Sequence, residues 1–310
     1  MFGRVSAIAM NTYREAVRAR VLFGLLALAL ATSVYSLVIA AMSVRQEMRI
    51  VADIGAASIS FYAVLVSVIL GATSLYRELE LKTIFPILTR RLRRHEYVLG
   101  KYLGIFATLL VFVALDGATV LAILAVQSKE HVAVTAGAGL GMFAVLGFLL
   151  WRGKLSRVFV VLPWSMALFL VMFLVSESAG GERQVVVVSA LLTLAEVAIV
   201  GAVAMVFSAF SSPFLTAIFT TMLFLIGRSA DTMGNIPERF FGSGVRTAGL
   251  VLSKIVPNLN IYVPPRPLLL GQLAAVPIWS YVGRAWLNAI FYAAVLLALS
   301  AVVFRRRDFQ

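Results

Sequence analysis

Long apolar runs dominate this chain and limit the folds that it can adopt. A helix needs about 20 apolar residues to cross a bilayer. Eight runs come near that length: 21–43, 54–76, 102–126, 132–151, 158–176, 185–209, 213–228 and 281–304. Only 13% of the residues are charged, against about a quarter in soluble domains. The sequence therefore predicts an all-α polytopic membrane protein, a single membrane domain over 1–310 with about eight transmembrane helices.

Lysine and arginine are unevenly distributed between these runs. With the N-terminus inside, the inner segments hold 17 of the 27 basic residues, and the short outer segments hold four. The inner segments are 1–20, 77–101, 152–157 and 305–310. Because basic loops stay cytoplasmic, we predict an even number of spans and two cytoplasmic termini. The net charge of +13 is then explained by loops that face anionic membrane lipids, not by nucleic acid.

Two segments are neither spans nor ordinary loops. Residues 1–20 place apolar side chains on one helical face, which predicts an amphipathic elbow helix in the inner interface. Those positions are Phe2, Val5, Ala9, Tyr13 and Ala16. Residues 229–280 form a long outer segment whose prolines forbid one continuous helix. We expect amphipathic or re-entrant pieces within it.

Several kinds of chemistry lack their sequence signatures. The chain has no cysteine, which excludes thiol nucleophiles and cysteine metal sites. It has no phosphate-binding G-x-x-x-x-G-K-[ST] loop, no H-E-x-x-H and no G-x-S-x-G. His95 and His131 lie in different segments, on opposite sides of the predicted membrane. We therefore expect no catalytic, cofactor or metal site in the chain itself.

Two carboxylates lie well inside the predicted spans, Asp116 and Glu196. A lone ionised carboxylate at mid-span costs about 2.5–3.5 kcal/mol on insertion scales. Each therefore either holds helices together through Ser, Thr or Tyr partners, or belongs to a transport path. Proton coupling is a further alternative for both.

Residues 77–104 concentrate polarity in an otherwise apolar chain, with seven basic and three acidic residues. Apolar residues such as Leu79, Ile84 and Leu88 are interleaved with the charges. This pattern predicts a short amphipathic element at the inner surface, which Pro86 should break or kink. The basic block RRLRR within it either docks a partner protein or binds lipid headgroups.

This stretch resembles the signature between the second and third spans of ABC-2 type permeases. It contains Glu78-x-Glu80-x-Lys82-Thr83, then Leu88-Thr89-Arg90, Arg93 and Tyr97-x-x-Gly100-Lys101. The resemblance is closest to the branch that includes the permease of nitrous-oxide-reductase maturation. It extends to the N-terminal NTYREAVRARVLFGLL, the hairpin VFSAFSSPFLTAIF and the terminal VVFRRRDF. Members of this family usually have six spans, so residues 132–176 resemble an inserted pair.

The resemblance implies a division of labour between subunits. The chain would be the permease of a transporter in a bacterial cytoplasmic membrane, paired with a second copy or a homologous permease. A cytoplasmic ABC ATPase dimer would bind ATP and Mg²⁺, and the permease itself would not be an enzyme. A coupling helix at 77–97 would receive the ATPase movement, through Glu78, Glu80, Lys82, Thr83, Arg93 and Arg94. The substrate and the direction of transport are not implied.

Two other functions are compatible with the residues. One is a proton-coupled secondary carrier that uses Asp116 and Glu196, and the other is an integral membrane enzyme acting on lipid. An ATPase encoded beside the chain would favour the permease, and a polar catalytic cluster at the membrane surface would favour the enzyme.

The topology predicts which introduced cysteines can be labelled from outside. A single cysteine at Ser243, in the predicted outer segment, should react with an impermeant thiol reagent in cells with a permeabilised outer membrane. A cysteine at Ser156 should not react until the cytoplasmic membrane is opened. Labelling at Ser156 with none at Ser243 would invert the predicted orientation.

Overall fold

The fold is described from a computed structural model of the chain. The structure describes residues 2–43, 45–80, 93–130, 132–152, 157–234, 256–272 and 277–306, together with 244, 246, 247 and 249–251. Across these residues the regular structure is helical and contains no strand. The prediction of an all-α protein with several membrane-spanning helices is confirmed.

The helices follow the apolar runs closely. In chain order they are α1 (Phe2–Val17), α2 (Arg20–Ala41), α3 (Glu47–Glu80), α4 (Arg94–Gln127), α5 (Val132–Arg152), α6 (Arg157–Val175), α7 (Gly181–Ser208), α8 (Pro213–Arg228), α9 (Ala230–Gly234), α10 (Arg266–Leu269) and α11 (Ile278–Arg306). Short 3₁₀ turns lie at Ser176–Ala179 and Asn260–Tyr262. Only four residues separate α7 from α8, and Pro213 occupies the first turn of α8, where proline is favoured.

Seven helices among the described residues are long and apolar enough to cross a membrane, rather than the eight predicted. They are α2 to α7 and α11. The exception is α8, whose 16 residues span about 24 Å, less than the roughly 30 Å hydrocarbon core. It ends at Arg228, whose side chain pairs with a carboxylate of α7.

Consecutive long helices run in opposite directions, so their ends collect in two layers. At one end, Arg94 Nη1 donates to Phe304 O at 3.2 Å, and Lys101 Nζ donates to Ser74 O at 3.3 Å. These bonds bring the start of α4, the last turns of α3 and the end of α11 together. We call this end of the bundle the basic end. We call the opposite end, where α4 meets the Ser176–Ala179 turn, the far end. The N-terminal helix and the end of α11 both lie at the basic end.

The core is built around α7. Its buried side chains include small and branched residues on every side, such as Val186, Leu192, Ala195 and Ile199. It packs against α3, α4, α8 and α11. A helix that is apolar all round is buried on all sides, so α7 forms the axis of the bundle. By contrast, α5 lies at the periphery, and Trp164 Nε1 of α6 holds it by donating to Met142 O at 2.8 Å.

The apolar face of α1 is covered by α4. Val5, Thr12, Tyr13 and Ala16 are buried, at the spacing of one helical face. Two glycines of α4 allow the helices to approach closely, because a Cβ at Gly100 would lie 2.7 Å from Ile8 Cβ. At the second glycine, Gly104, a Cβ would lie 2.6 Å from Ala9 O. The predicted amphipathic helix therefore buries its apolar side against protein, and its location in a membrane interface stays a prediction.

The close approach of α1 and α4 predicts a strong effect at Gly104. Gly104→Ala should destabilise the protein by about 1–3 kcal/mol, because the added methyl group overlaps the α1 backbone. Thermal unfolding of the purified protein in detergent measures this loss. Gly24→Ala is the control, since a Cβ there would meet nothing within 4 Å and alanine favours helix. Equal melting temperatures for the two variants would contradict the packing.

Candidate functional site

The start of α4, residues 93–104, is tied to the N-terminal helix by a buried carboxylate. Glu96 is only 4% exposed. Its Oε2 accepts the backbone N–H of Arg93 at 3.3 Å, which satisfies a donor at the helix N-terminus. The same oxygen lies 4.0 Å from Arg4 Nη1 of α1. Glu96 therefore caps α4 and attracts α1 toward it.

The same turns of α4 also hold α3 and α11. Lys101 is 3% exposed, donates to Ser74 O of α3 and lies 5.9 Å from the centre of the Tyr97 ring. Tyr97 in turn stacks on Phe304 of α11, with ring centres 6.1 Å apart. A displacement of the α4 start therefore acts directly on three other helices.

A fifth helix, α6, joins α1, α3, α4 and α11 through a hydrogen bond from Tyr13 of α1. Its hydroxyl donates to Val158 O at the start of α6, at 3.1 Å. Burial raises the pKa of the Tyr13 phenol to about 12, so the hydroxyl keeps its proton and remains a donor at physiological pH. The basic end is thus a connected layer, with α1 linking α4 to α6.

The predicted coupling residues lie partly in this layer. Arg93 and Arg94 stand at the start of α4, with Arg93 exposed and Arg94 bonded to α11. Glu78 and Glu80 belong to the last turn of α3, and their side chains lie outside the described residues. Lys82 and Thr83, with the middle of the predicted 77–97 helix, also lie outside them. The two ends of that predicted helix are continuations of α3 and α4.

Asp116 lies in the interior and is held by two serines. It is fully buried. Its Oδ1 accepts Ser33 Oγ of α2 at 2.9 Å, and its Oδ2 accepts Ser58 Oγ of α3 at 3.4 Å. Each oxygen thus has a donor from a different helix. The carboxyl group therefore joins α2, α3 and α4 by hydrogen bonds in the buried interior.

Glu196 forms a two-point ion pair with Arg228, the last residue of α8. Arg228 Nε lies 2.6 Å from Oε1, and Nη2 lies 2.9 Å from Oε2. The carboxylate side chain is 1% exposed, and that of the arginine is 26% exposed. Paired N–H donors on a planar carboxylate give the strongest and most directional ion pairs.

Ser60 of α3 completes this arrangement. Its hydroxyl accepts Arg228 Nη2 at 2.8 Å and donates to Glu196 Oε2 at 3.4 Å. Three helices therefore meet at one polar point. Glu196 is 12 residues from the end of α7 at Ser208, or about 18 Å along the helix. The arginine that ends α8 is thus held deep between the two ends of the bundle.

A cavity of about 580 Å³ adjoins this ion pair. It lies between α3, α7, α8 and residues 262–264. Ser60 and Arg228 provide a polar point in its wall, and most of the rest is apolar, including Val64, Leu65 and Phe224. An elongated apolar group with one polar end matches such a lining, because pockets of this kind bind by apolar burial and orient by a few polar contacts.

A second arginine pairs with Asp53, which lines this cavity. Arg266, which begins α10, forms ion pairs with both Asp53 of α3 and Glu182 of α7. Close by, Gln184 Nε2 donates to Leu269 O at 3.1 Å. These contacts fasten the segment before α11 to α3 and α7.

Sequence reasoning singled out both interior carboxylates and offered hydroxyl partners for them as one alternative, and serines do contact both. It did not identify those serines individually, and it missed Arg228 and the Arg266 ion pairs. The signal for Arg228 was present, because it ends a run of only 16 apolar residues that follows a tight hairpin. A charged residue at the end of a helix too short to cross a bilayer needs a partner within the protein. No comparable pattern indicated Ser60 or Arg266.

Comparison with models of known protein families and with curated proteins finds no match to this chain. The resemblance to ABC-2 type permeases therefore stays a prediction that depends on the motifs in the sequence.

The Glu196–Arg228 ion pair predicts that removing one charge destabilises the protein more than removing both. Arg228→Gln should destabilise the protein by about 3–5 kcal/mol, because it leaves the Glu196 charge buried without its partner. The double variant Glu196→Gln with Arg228→Gln should recover part of this loss, since no uncompensated charge remains. Thermal unfolding in detergent measures each step, with the exposed Arg284→Gln as the control. Glu196→Gln alone completes the cycle, and a loss in the double variant equal to the sum of the two single losses would contradict the coupling.

Proposed function

We propose that this chain is the membrane permease subunit of an ABC transporter, which converts the movement of partner ATPases into work across the membrane. The single observation that carries the proposal is the connected layer at the basic end. The charged segment 77–104 includes the first three turns of α4, and these turns contact α1, α3 and α11. A force applied to that segment would therefore be transmitted to several helices at once.

The bonds at the α4 start favour transmission over local bending. Lys101, Tyr97 and Arg94 hold α4 to α3 and α11, and the glycine contact seats α1 on it. Tightly packed helices move as bodies, because interiors are close-packed and resist gradual deformation. Such a layer suits a protein that responds to movement beneath it.

The proposed transporter needs further subunits and a place that contacts the substrate. ATP and Mg²⁺ would be bound by a cytoplasmic ATPase dimer, since the chain has no phosphate-binding loop. A second permease copy or a homologous permease would complete the transporter in a bacterial cytoplasmic membrane, with the basic end facing the cytoplasm. The cavity beside Arg228 is then the place where a transported molecule with an apolar body would contact this subunit.

The secondary-carrier alternative receives less support from the geometry. A proton relay needs a carboxylate that can exchange its proton with a path. Asp116 accepts two serine hydroxyls, and Glu196 is held by a two-point arginine pair. Each carboxylate is thus occupied by its own partners, which is what helix-holding groups require.

The proposed coupling residues predict loss of the ATPase without loss of the fold. Glu78→Ala and Glu80→Ala should leave membrane insertion and expression unchanged but release the ATPase. A carboxylate desolvated against a partner's basic group is worth about 2–5 kcal/mol when truncated. The measurement is the amount of phosphate-loop ATPase that co-purifies with the tagged chain from membranes of its native host, identified by mass spectrometry.

Two further measurements make this test decisive. Lys129→Ala, at the far end of α4, is the control and should retain the ATPase. The purified single chain should not hydrolyse ATP. Full ATPase retention by both glutamate variants would show that segment 77–104 is only a charged boundary, and robust hydrolysis by the chain alone would overturn the permease proposal.

A further inference from the structure

The cavity beside Arg228 is long and follows one face of α3. On α3 its lining recurs every three or four residues from Asp53 to Val68, a distance of about 22 Å along the helix. The hydrocarbon core of a bilayer is roughly 30 Å thick. A cavity of about 580 Å³ that extends so far along one helix suits a chain-like molecule better than a compact one.

This cavity has a polar middle and an apolar half toward the basic end. Its middle contains Ser60, Thr193 and Arg228. The half nearer the far end combines apolar residues with Asp53 and Ser189. The half nearer the basic end is lined by Thr221 and by apolar side chains, which are Val64, Leu65, Val68, Phe224 and Leu225. The lining therefore matches an amphiphile whose oxygens lie at the middle and whose chain extends toward the basic end.

The unused edge of Arg228 provides hydrogen-bond donors at the middle of the cavity. Its Nε and Nη2 bond to Glu196 and Ser60. In a planar guanidinium group, Nη1 then points directly away from the carboxylate that the other two nitrogens hold. Within the described residues Nη1 has no hydrogen-bond partner, and the partly exposed arginine lines the cavity. Its two N–H groups therefore remain for a ligand.

Thr193 of α7 adds a hydroxyl one turn before Glu196. The residue is only 3% exposed. Its Oγ1 has no hydrogen-bond partner in the described part of the chain, and it is not among the fully enclosed side-chain oxygens there. It therefore faces open space, and the cavity is the open space that Thr193 lines. Buried hydroxyls almost always have a partner, so an occupant of the cavity has to provide one.

The charges around this polar middle are already balanced. Glu196 is paired with Arg228, and Asp53 is paired with Arg266. An anionic group at Arg228 Nη1 would bring a second negative charge close to Glu196, and a cationic group would meet the guanidinium group itself. Unbalanced charges in an apolar interior are costly. The lining therefore favours an uncharged acceptor, such as an ester, carbonyl or hydroxyl oxygen.

The cavity opens sideways between α3 and α8. Phe61 of α3 and Leu225 of α8 belong to its lining, and these two residues are 60% and 57% exposed. Both lie near the level of Arg228, deep between the two ends of the bundle. At this depth of a membrane-spanning bundle the surroundings are apolar. An apolar molecule dissolved in the bilayer therefore reaches the opening without crossing water.

From these contacts we infer that the cavity binds an uncharged, single-chain lipid that enters from the bilayer. Its ester or hydroxyl oxygens would accept hydrogen bonds from Arg228 Nη1 and Thr193 Oγ1. Its chain would lie along Val64, Leu65 and Val68. The lipid is a transported substrate only under the proposed function, on which this assignment of substrate class rests. Its binding to the cavity requires no ATPase.

The test uses the full-length chain alone in phosphatidylcholine nanodiscs. The probe is a monoacylglycerol with a photoreactive diazirine near the end of its chain. After illumination, mass spectrometry should find the label on residues 61–68 or 221–225, which contain the apolar half of the lining. Unlabelled 1-monooleoylglycerol should compete. Ionised oleate and 1-octadecene should compete at least about tenfold more weakly, because the first adds a charge and the second has no oxygen.

Two pairs of variants locate the site. Thr221→Phe fills part of the apolar half, and Met222→Phe places the same ring on the next residue, which is exposed and does not line the cavity. The first variant should lose most of the competed labelling, and the second should retain it. Thr193→Val removes the hydroxyl and should lower the apparent affinity for 1-monooleoylglycerol about threefold to tenfold. Its control is Thr119→Val, since Thr119 lies outside the cavity.

The outcomes separate the lipid site from the permease proposal. Equal competition by oleate and 1-monooleoylglycerol would overturn the uncharged ligand. Equal labelling of Thr221→Phe and the wild type, or label spread evenly over the exposed faces of α2 and α5, would overturn the site. None of these results would change the ATPase co-purification that tests the permease proposal. A chain that binds the lipid in the cavity but retains no ATPase would keep the site and lose the transport role.

Discussion

The ion pair between Glu196 and Arg228 determines how the middle of this bundle is built. A single charge in an apolar interior is costly, and two opposite charges reduce that cost only when they meet in good geometry. The pair meets with two N–H donors on one carboxylate. That contact fixes the position of the last turn of α8, between α3 and α7. Beside it, Leu259 N donates to Gly227 O, and Arg266 forms ion pairs with Asp53 and Glu182.

The sequence was sufficient to predict the long helices, because hydrocarbon thickness imposes one length on every span. The bounds of α2 and of α5 to α7 fall within about a turn of the apolar runs, whereas α4 begins eight residues before its run. Residues 213–228 form a helix, but its 16 residues are fewer than those of the seven helices that are long enough to cross a membrane. Its last residue pairs with a carboxylate 32 residues earlier in the chain. Hydropathy alone cannot reveal such a pairing, because it is decided by tertiary structure.

The interior carboxylates were predictable for a related reason, since a carboxylate in an apolar run is rare and conspicuous. Their partners were not, because serine is common in apolar runs and Ser33, Ser58 and Ser60 look like any other small residue. The covered face of α1 shows the same limit. Its apolar spacing predicted an amphipathic helix, but the spacing is identical whether the face meets lipid or protein. Gly100 and Gly104 favour protein as the partner of this face, because they let α1 approach the α4 backbone.

Lys101 shows how the proposed coupling layer is held together. Its ammonium group is buried, donates to Ser74 O of α3 and lies against the Tyr97 ring. A buried ammonium group is costly without oxygen acceptors, so the hydrogen bond to Ser74 O holds α4 to α3 at that turn. The Tyr97 ring stacks on Phe304 of α11, which extends the same contact to a third helix. Movement received by segment 77–104 would therefore reach α3 and α11 through the first two turns of α4.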